Sequence, residues 1–200
     1  MAAVALALYV AFGALALGWR CWMQWSRTGS TGYRGLSRRL GPLGLAAGIS
    51  FIVAMVGGLV APLLQLFRVV SPLHILNHGL IGGAGLVIAI CGLVATLHAQ
   101  LDMGESWRVG VDTTETTALV RTGTFGLVRN PIFTAMAVFV FGQTLLAPNP
   151  VAVAVFLIFV AAVEISVRTV EEPYLLHMHG DDYRDYTAGV GRFVPGVGRV

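Results

Sequence analysis

The stretch Pro131-IFTAMAVFVFGQTLLA-Pro148-Asn149-Pro150-VAVAVFLIFVAAVEIS-Val167 decides how the chain must be read. It holds two apolar runs, from about Ile132 to Ala147 and from about Val151 to Val167, and Glu164 is the one ionisable side chain in either. Sixteen or so helical residues reach about 24 Å, short of the roughly 30 Å of a hydrocarbon core. Pro148-Asn149-Pro150 interrupts them: a residue before proline is pushed into extended backbone, and the turn leaves room for little except a helical hairpin. Two short runs cross a bilayer only if the flanks thin it or partner helices cover the ends, so the pair is expected to sit together.

Upstream lie three longer apolar segments, from about Ala2 to Met23, Leu43 to Leu66 and Leu73 to His98, each long enough to span. The reading is an all-α integral membrane protein with about five transmembrane helices, the last two a Pro-Asn-Pro hairpin. Composition agrees. Of 200 residues, 56% are hydrophobic and 25 more are glycine, while charged residues make up 12%, about half the usual share. Mean hydropathy is +0.77. A soluble fold of this size has too little interior to hide so much apolar surface. Disorder, collagen-like repeats and a disulfide scaffold are excluded by the same numbers. Cys21 and Cys91, far apart in or beside apolar runs, read as reduced thiols.

The first segment has no basic residue before its apolar run, and no small-x-small cleavage site precedes Trp19-Arg20-Cys21-Trp22, so it reads as a retained helix. Trp19, Trp22 and Trp25 mark its end as a membrane interface. All 13 basic residues are Arg, in an Ala/Val/Gly-rich chain, a composition expected of a high-GC bacterial genome. With the amino terminus outside, every arginine but Arg68 falls on the cytoplasmic side. That bias sets the expected orientation and accounts for the net charge of +3 without nucleic acid. The expected location is the cell (inner) membrane, with the carboxyl terminus cytoplasmic. Acidic residues are absent before Asp102, so any chemistry belongs to the cytoplasmic face of the second half. The chain is read as one membrane domain, 1–200, with residues 1–98 as a three-helix scaffold and 99–200 as the working core.

Two constellations stand out. The connection from about Ala99 to Arg129 is far longer than a bundle turn requires. It carries Gln100, Trp107, Arg108, an acidic and Thr-rich stretch, then Leu119, Val120, Gly123 and Phe125, and reads as a loop folded back on itself or as a basic juxtamembrane anchor. Pro131 suits the first turn of the next helix, where its missing N–H costs nothing. The second constellation is Glu164, Arg168, Glu171 and Glu172, spaced to share one helix face. Ionisable groups at such depth usually face a cavity; the plainer alternative is a salt-bridged helix end among headgroups. His177 and His179 point apart on a helix, and His74 and His78 lack a third ligand, so no metal site is expected. Gly79, Gly82, Gly83 and Gly85 read as helix packing, since small residues let membrane helices approach.

The second half resembles the isoprenylcysteine carboxyl methyltransferase family and the related phospholipid methyltransferases. The resemblance runs from about Gln100 to Pro195. It rests on Leu119-Val120, Gly123, Phe125, Arg129-Asn130-Pro131-Ile132-Phe133-Thr134-Ala135, Glu171-Glu172, Tyr183 with Tyr186, and Phe193-Val194-Pro195. Each motif alone is weak; their order and spacing around the Pro-Asn-Pro turn are specific. Asn130, Phe133 and Ala135 depart from the His, Tyr and Gly of the family pattern. Asn cannot titrate near neutral pH and Phe133 lacks the hydroxyl, so the usual prenylated acceptor does not carry over.

The resemblance implies methyl transfer from S-adenosylmethionine to a membrane-embedded amphiphile: a lipid, an isoprenoid or a lipid-linked carboxylate or amine. The cofactor pocket would be cytoplasmic, built from the long connection and the carboxyl-terminal tail. Gln100, Leu119, Val120, Gly123, Phe125, Arg129, Asn130, Pro131, Glu171, Glu172 and Tyr183 are the candidate cofactor residues, with Arg129 and Glu171 catalytic. Trp107, Arg108, Phe133, Glu164 and Arg168 are the candidate acceptor residues. Competing readings are a catalytically inactive member that binds lipid or a partner, and a small transporter, against which stands the lack of any acidic residue in the first three spans.

Overall fold

The computed structural model describes residues 1–33, 35, 41–110 and 118–200. Arg34, Arg38 and Arg39 of the orientation argument, and the acidic, Thr-rich stretch with Asp112 and Glu115, lie outside the described residues. Among the described residues the chain is helical, with isolated bridges in place of a sheet. Helix α1 runs Ala2–Thr28, α2 Gly41–Leu66, α3 Gly79–Met103 and α4 Pro131–Leu146. Helix α5 starts at Pro150, passes through a π turn at Val167–Glu171 and ends at His179; α6 is Asp181–Gly189.

Four of these are long and apolar enough to span a bilayer: α1, α2, α3 with the 3-10 turn that follows it, and α5. The expected five therefore resolve into four long helices and the 16-residue α4, which is apolar but short. Their outer faces expose residues such as Val53, Val87, Val94, Leu157 and Val160. That continuous apolar surface is stable against lipid and not against water, and the protein is a multi-pass membrane protein.

Several segment limits differ from the sequence reading: the first and third helices run on to Thr28 and Met103. The third helix begins at Gly79 and not at Leu73, because residues 73–78 form a turn: Leu76 donates to the Leu73 carbonyl, and Leu73 itself donates to the Pro148 carbonyl at 2.9 Å. His74 and His78 therefore share no helix face. The last long helix runs past Val167 to His179.

Backbone proximity holds the bundle together. Lipid tails are as apolar as leucine, so helices associate through close packing and hydrogen bonds. Gly85, Ala89 and Gly92 of α3 meet Leu146, Gly142 and Phe139 of α4: a Cβ at Gly142 would strike the Ala89 backbone, and one at Gly92 the Phe139 backbone. The expected packing role therefore holds for Gly85, and for Gly82 against Met1; Gly79 and Gly83 face open space. Phe12 stacks on Phe139 with ring centroids 4.1 Å apart. On the other side Gly57 of α2 admits Val155 of α5, and Gly58 admits the Tyr9 ring, whose hydroxyl donates to the Met55 carbonyl at 2.6 Å.

Asn149, fully buried, ties three elements together. Its Oδ1 accepts from the Ala152 amide at 2.9 Å and caps α5, where an uncapped helix start would leave orphan N–H groups. Its Nδ2 reaches the Ala61 carbonyl and Gln65 Oε1 of α2. The turn that separates α4 from α5 is thereby pinned to the end of α2.

Candidate functional site

The sequence-predicted residues gather where α3, α4 and α5 end or begin on one side of the bundle. Asp102, in the last turn of α3, accepts the Thr124 amide at 2.7 Å and fixes the 3-10 turn Gly123–Gly126. Gly123 has φ +62°, and a Cβ there would run into the Asp102 carboxylate, so this contact needs glycine. Phe125 is buried, and its carbonyl accepts the Tyr186 hydroxyl at 2.6 Å. Leu119 and Val120 lead into the turn, half-buried.

After that turn the chain pairs with its own carboxyl-terminal tail. Val128 and Gly191 form a parallel bridge, Arg129 N donates to the Gly191 carbonyl at 2.8 Å, and Asn130 donates to the Arg192 carbonyl through both its backbone and its side-chain nitrogen. Pro131 opens α4 at the first turn. Thr134 Oγ1 donates to the Phe193 carbonyl at 3.0 Å. The tail is therefore seated on the start of α4.

A buried charge cluster locks that seat. Glu172 Oε1 accepts from Arg129 Nη2 at 2.7 Å and from Arg192 Nε at 2.6 Å, and its Oε2 accepts from Arg192 Nη2 at 2.9 Å. Arg129 also donates to the carbonyls of Val190 and Gly198. One carboxylate between two guanidiniums carries a net positive charge in a poorly hydrated place, held by charge-assisted bonds. Glu172 in turn holds the Arg192 guanidinium above its ordinary value. Burial pushes the Tyr183 and Tyr186 phenols up to about 12, so both remain hydrogen-bond donors at neutral pH.

Glu171 is arranged differently. It is half-buried, next to Glu172 and within electrostatic reach of Arg108, whose guanidinium lies 5.2 Å from the centre of the Tyr174 ring. Adjacent residues on a helix point about 100° apart, and the two neighbouring acids meet different partners. Glu164 and Arg168 form their own exposed ion pair, and Glu172 turns to the tail.

The remaining candidates lie elsewhere. Phe133 and Glu164 line an apolar groove of about 360 Å³ between α4 and α5, with Phe141, Phe156, Phe159 and Phe193. Trp107 is buried under Arg20, and Gln100 donates to the Ala16 carbonyl of α1 at 2.9 Å. Among the described residues no group of three His, Cys, Asp or Glu is placed to hold a metal ion. Sequence reasoning missed Arg192, although it immediately precedes the Phe193-Val194-Pro195 motif; in a chain whose arginines are read as anchors, nothing marks one as the partner of Glu172.

Curated proteins give no match. The solved structure of a eukaryotic intramembrane Ras methyltransferase, isoprenylcysteine carboxyl methyltransferase, superposes with a TM-score of 0.51 at 19% identity, over 80% of this chain and 53% of that one. The likeness is one of fold, and this chain spans about half the length of that protein. A family model for phospholipid methyltransferases matches residues 81–182, from the first turn of α3 into α6. That is just over half of the sequence, and it takes in the Gly123 turn, the start of α4 and both Glu171 and Glu172: the chain belongs to the phospholipid methyltransferase family.

Proposed function

We propose that this protein transfers a methyl group from S-adenosylmethionine to an amphiphile held in the membrane. The observation that carries the reading is the convergence of the Gly123–Gly126 turn, Arg129 and Glu171-Glu172 at one end of the bundle, beside an apolar groove.

The residues present fit such a cofactor. Among the described residues, Arg129 Nε and His179 Nε2 are buried nitrogens without a hydrogen-bond partner, and Glu172 already has Arg192 bonded across both of its oxygens. When bound, the cofactor supplies an electrophilic methyl on a sulfonium. Glu171 is the carboxylate for its ammonium or ribose hydroxyls, while Leu119, Val120, Gly123 and Phe125 offer backbone and apolar contacts to adenine. Tyr183 closes that wall. Arg129, Asn130 and Glu172, committed to the tail, shape the seat and present a net positive charge to an anionic group. Gln100, bonded to α1, acts from behind it.

The groove between α4 and α5 takes the apolar part of the acceptor, with Phe133 along its wall and the Glu164–Arg168 pair at its rim. An acceptor carboxylate needs little acid–base help, so orientation and exclusion of water supply most of the rate. An amine or hydroxyl acceptor needs a base, and Glu171 is placed for it. The short α4 is the fifth membrane-embedded helix, the amino terminus is outside, and the site faces the cytoplasm.

Isothermal titration of the purified chain with S-adenosylmethionine, or with its demethylated product, tests the reading. Saturable binding weakened at least about tenfold by Glu171→Ala is expected, a loss of about 1.4 kcal/mol; absence of binding at millimolar ligand overturns it. Binding without methyl transfer to extracted membrane lipids would favour the inactive-member reading, which Asn130 and Phe133 motivate.

A further inference from the structure

Among the described residues Arg20 is the largest fully buried side chain, 1% exposed, and the hydrogen-bond acceptors it meets there are all neutral. It bonds Gln24 Oε1 at 2.9 Å and the carbonyls of Gly104 and Gln100 at 2.5 and 3.4 Å. Those two carbonyls belong to the end of α3, where a helix has no donors of its own and carries partial negative charge. Gln24 continues the pattern by donating to the Glu105 carbonyl at 2.7 Å. A desolvated guanidinium without a counter-ion is costly to keep, so its placement calls for a reason beyond packing.

The reason lies in the next three residues. The Arg20 guanidinium stands 4.6 Å from the centre of the Trp107 ring, a cation–π contact in a water-poor place. Gly32, at φ +72°, lies against Trp107, since a Cβ there would come within 3.0–3.1 Å of the Trp107 carbonyl and ring, and its own carbonyl accepts the Val109 amide at 2.8 Å. The backbone leaves the 3-10 turn extended at Trp107, and in extended chain successive side chains point to opposite sides. With Trp107 and Val109 fastened to α1 and the turn after it, Arg108 is directed the other way, onto Tyr174 and toward Glu171.

We propose that Arg20 and Gln24 are positioning residues for the methyl-transfer site: from α1 they set the seat of Arg108 beside Glu171, so that the amino-terminal helix is part of the active site's support. The proposal rests on the function proposed above for its kinetic arm, and stands apart from it in its structural arm.

The test uses the full chain in lipid nanodiscs, with Arg20→Gln, Gln24→Ala, Arg108→Ala and the Arg20→Gln/Arg108→Ala double variant. Amide hydrogen exchange over residues 104–109 is expected to quicken by about tenfold or more in Arg20→Gln, with α4 unchanged, because the loss is local and not global. The acceptor KM, or the cofactor Kd, should rise as far in Arg20→Gln as in Arg108→Ala, with kcat little altered, and the double variant should add nothing, the mark of residues acting as one unit. Arg20→Lys, which keeps the charge, should restore part of the binding. Unchanged exchange at 104–109, exchange raised equally throughout, or additive effects of Arg20→Gln and Arg108→Ala each overturn the proposal. Failure of the unaltered chain to bind S-adenosylmethionine would overturn the function and leave the exchange arm to decide the positioning claim.

Discussion

Glu172 shows how much one carboxylate can organise. Both of its oxygens are bonded, to arginines that arrive from the start of α4 and from the tail, and among the described residues neither arginine is hydrogen-bonded to another carboxylate. Glu172→Gln leaves two buried guanidiniums facing one another, and a loss of about 3–5 kcal/mol is expected, as for breaking a buried pair; chemical denaturation in mild detergent measures it. Arg129 was legible from the Arg-x-Pro pattern, but its commitment to Glu172 and to tail carbonyls was not, because sequence order says nothing of which of two adjacent acids a guanidinium will meet. The buried phenols give a second residue-level expectation. Tyr183 and Tyr186 titrate near 12 in the folded chain against an ordinary value of 10.0, so each contributes stability that is complete below pH 10 and is lost as pH rises towards 12. Replacing both by phenylalanine should flatten melting temperature against pH across that window, most plainly through Tyr186, whose hydroxyl bonds Phe125.

At the scale of elements, the contact of α3 with α4 is the tightest test of how the bundle is built. Gly142 faces Ala89 and Gly85 backbone atoms, which cannot give as a flexible side chain would. Gly142→Ala should therefore destabilise the protein by about 1–3 kcal/mol, the usual cost of overpacking, read from thermal unfolding in nanodiscs. The glycine cluster near Gly82 and Gly85 could be read as packing from sequence, since small residues in a membrane helix have few other uses. Gly92 and Gly142 escaped notice as isolated glycines whose partners lie on another helix. Helix limits at Pro131 and Pro150 were legible because proline fixes them chemically. The start of α3 was not, because Leu73–His78 is apolar enough to extend the helix while its amide is taken by Pro148.

For the molecule as a whole, the unequal placement of charge is the leading clue, and it predicts an orientation that can be measured. With the native cysteines replaced, a cysteine introduced at Val200 should react with a membrane-impermeant maleimide only after the cytoplasmic face is opened, and one at Ser71 should react in intact cells; the reverse pattern would invert the topology. Residues 1–98, read as a scaffold, carry one buried polar cluster that their sequence does not announce. Trp19, Trp22 and Trp25 read as an interfacial belt and are exposed, while Arg20 and Gln24 on the same turns are buried against α3. Two faces of one helix turn cannot be told apart when a π stretch, Gly13–Trp19, shifts the phase just upstream.

That π stretch also bears on how the sequence can drift. Each residue added or removed turns everything beyond it by about 100°. The half of α1 before it is fixed by Tyr9 and Phe12, and the half after it by Arg20 and Gln24. A single deletion anywhere between Gly13 and Trp19 would keep the apolar character and the length of the span almost intact, yet carry a guanidinium from the end of α3 round into lipid. Hydropathy would register nothing. In this helix the number of residues between two anchors is itself under constraint, independently of what those residues are.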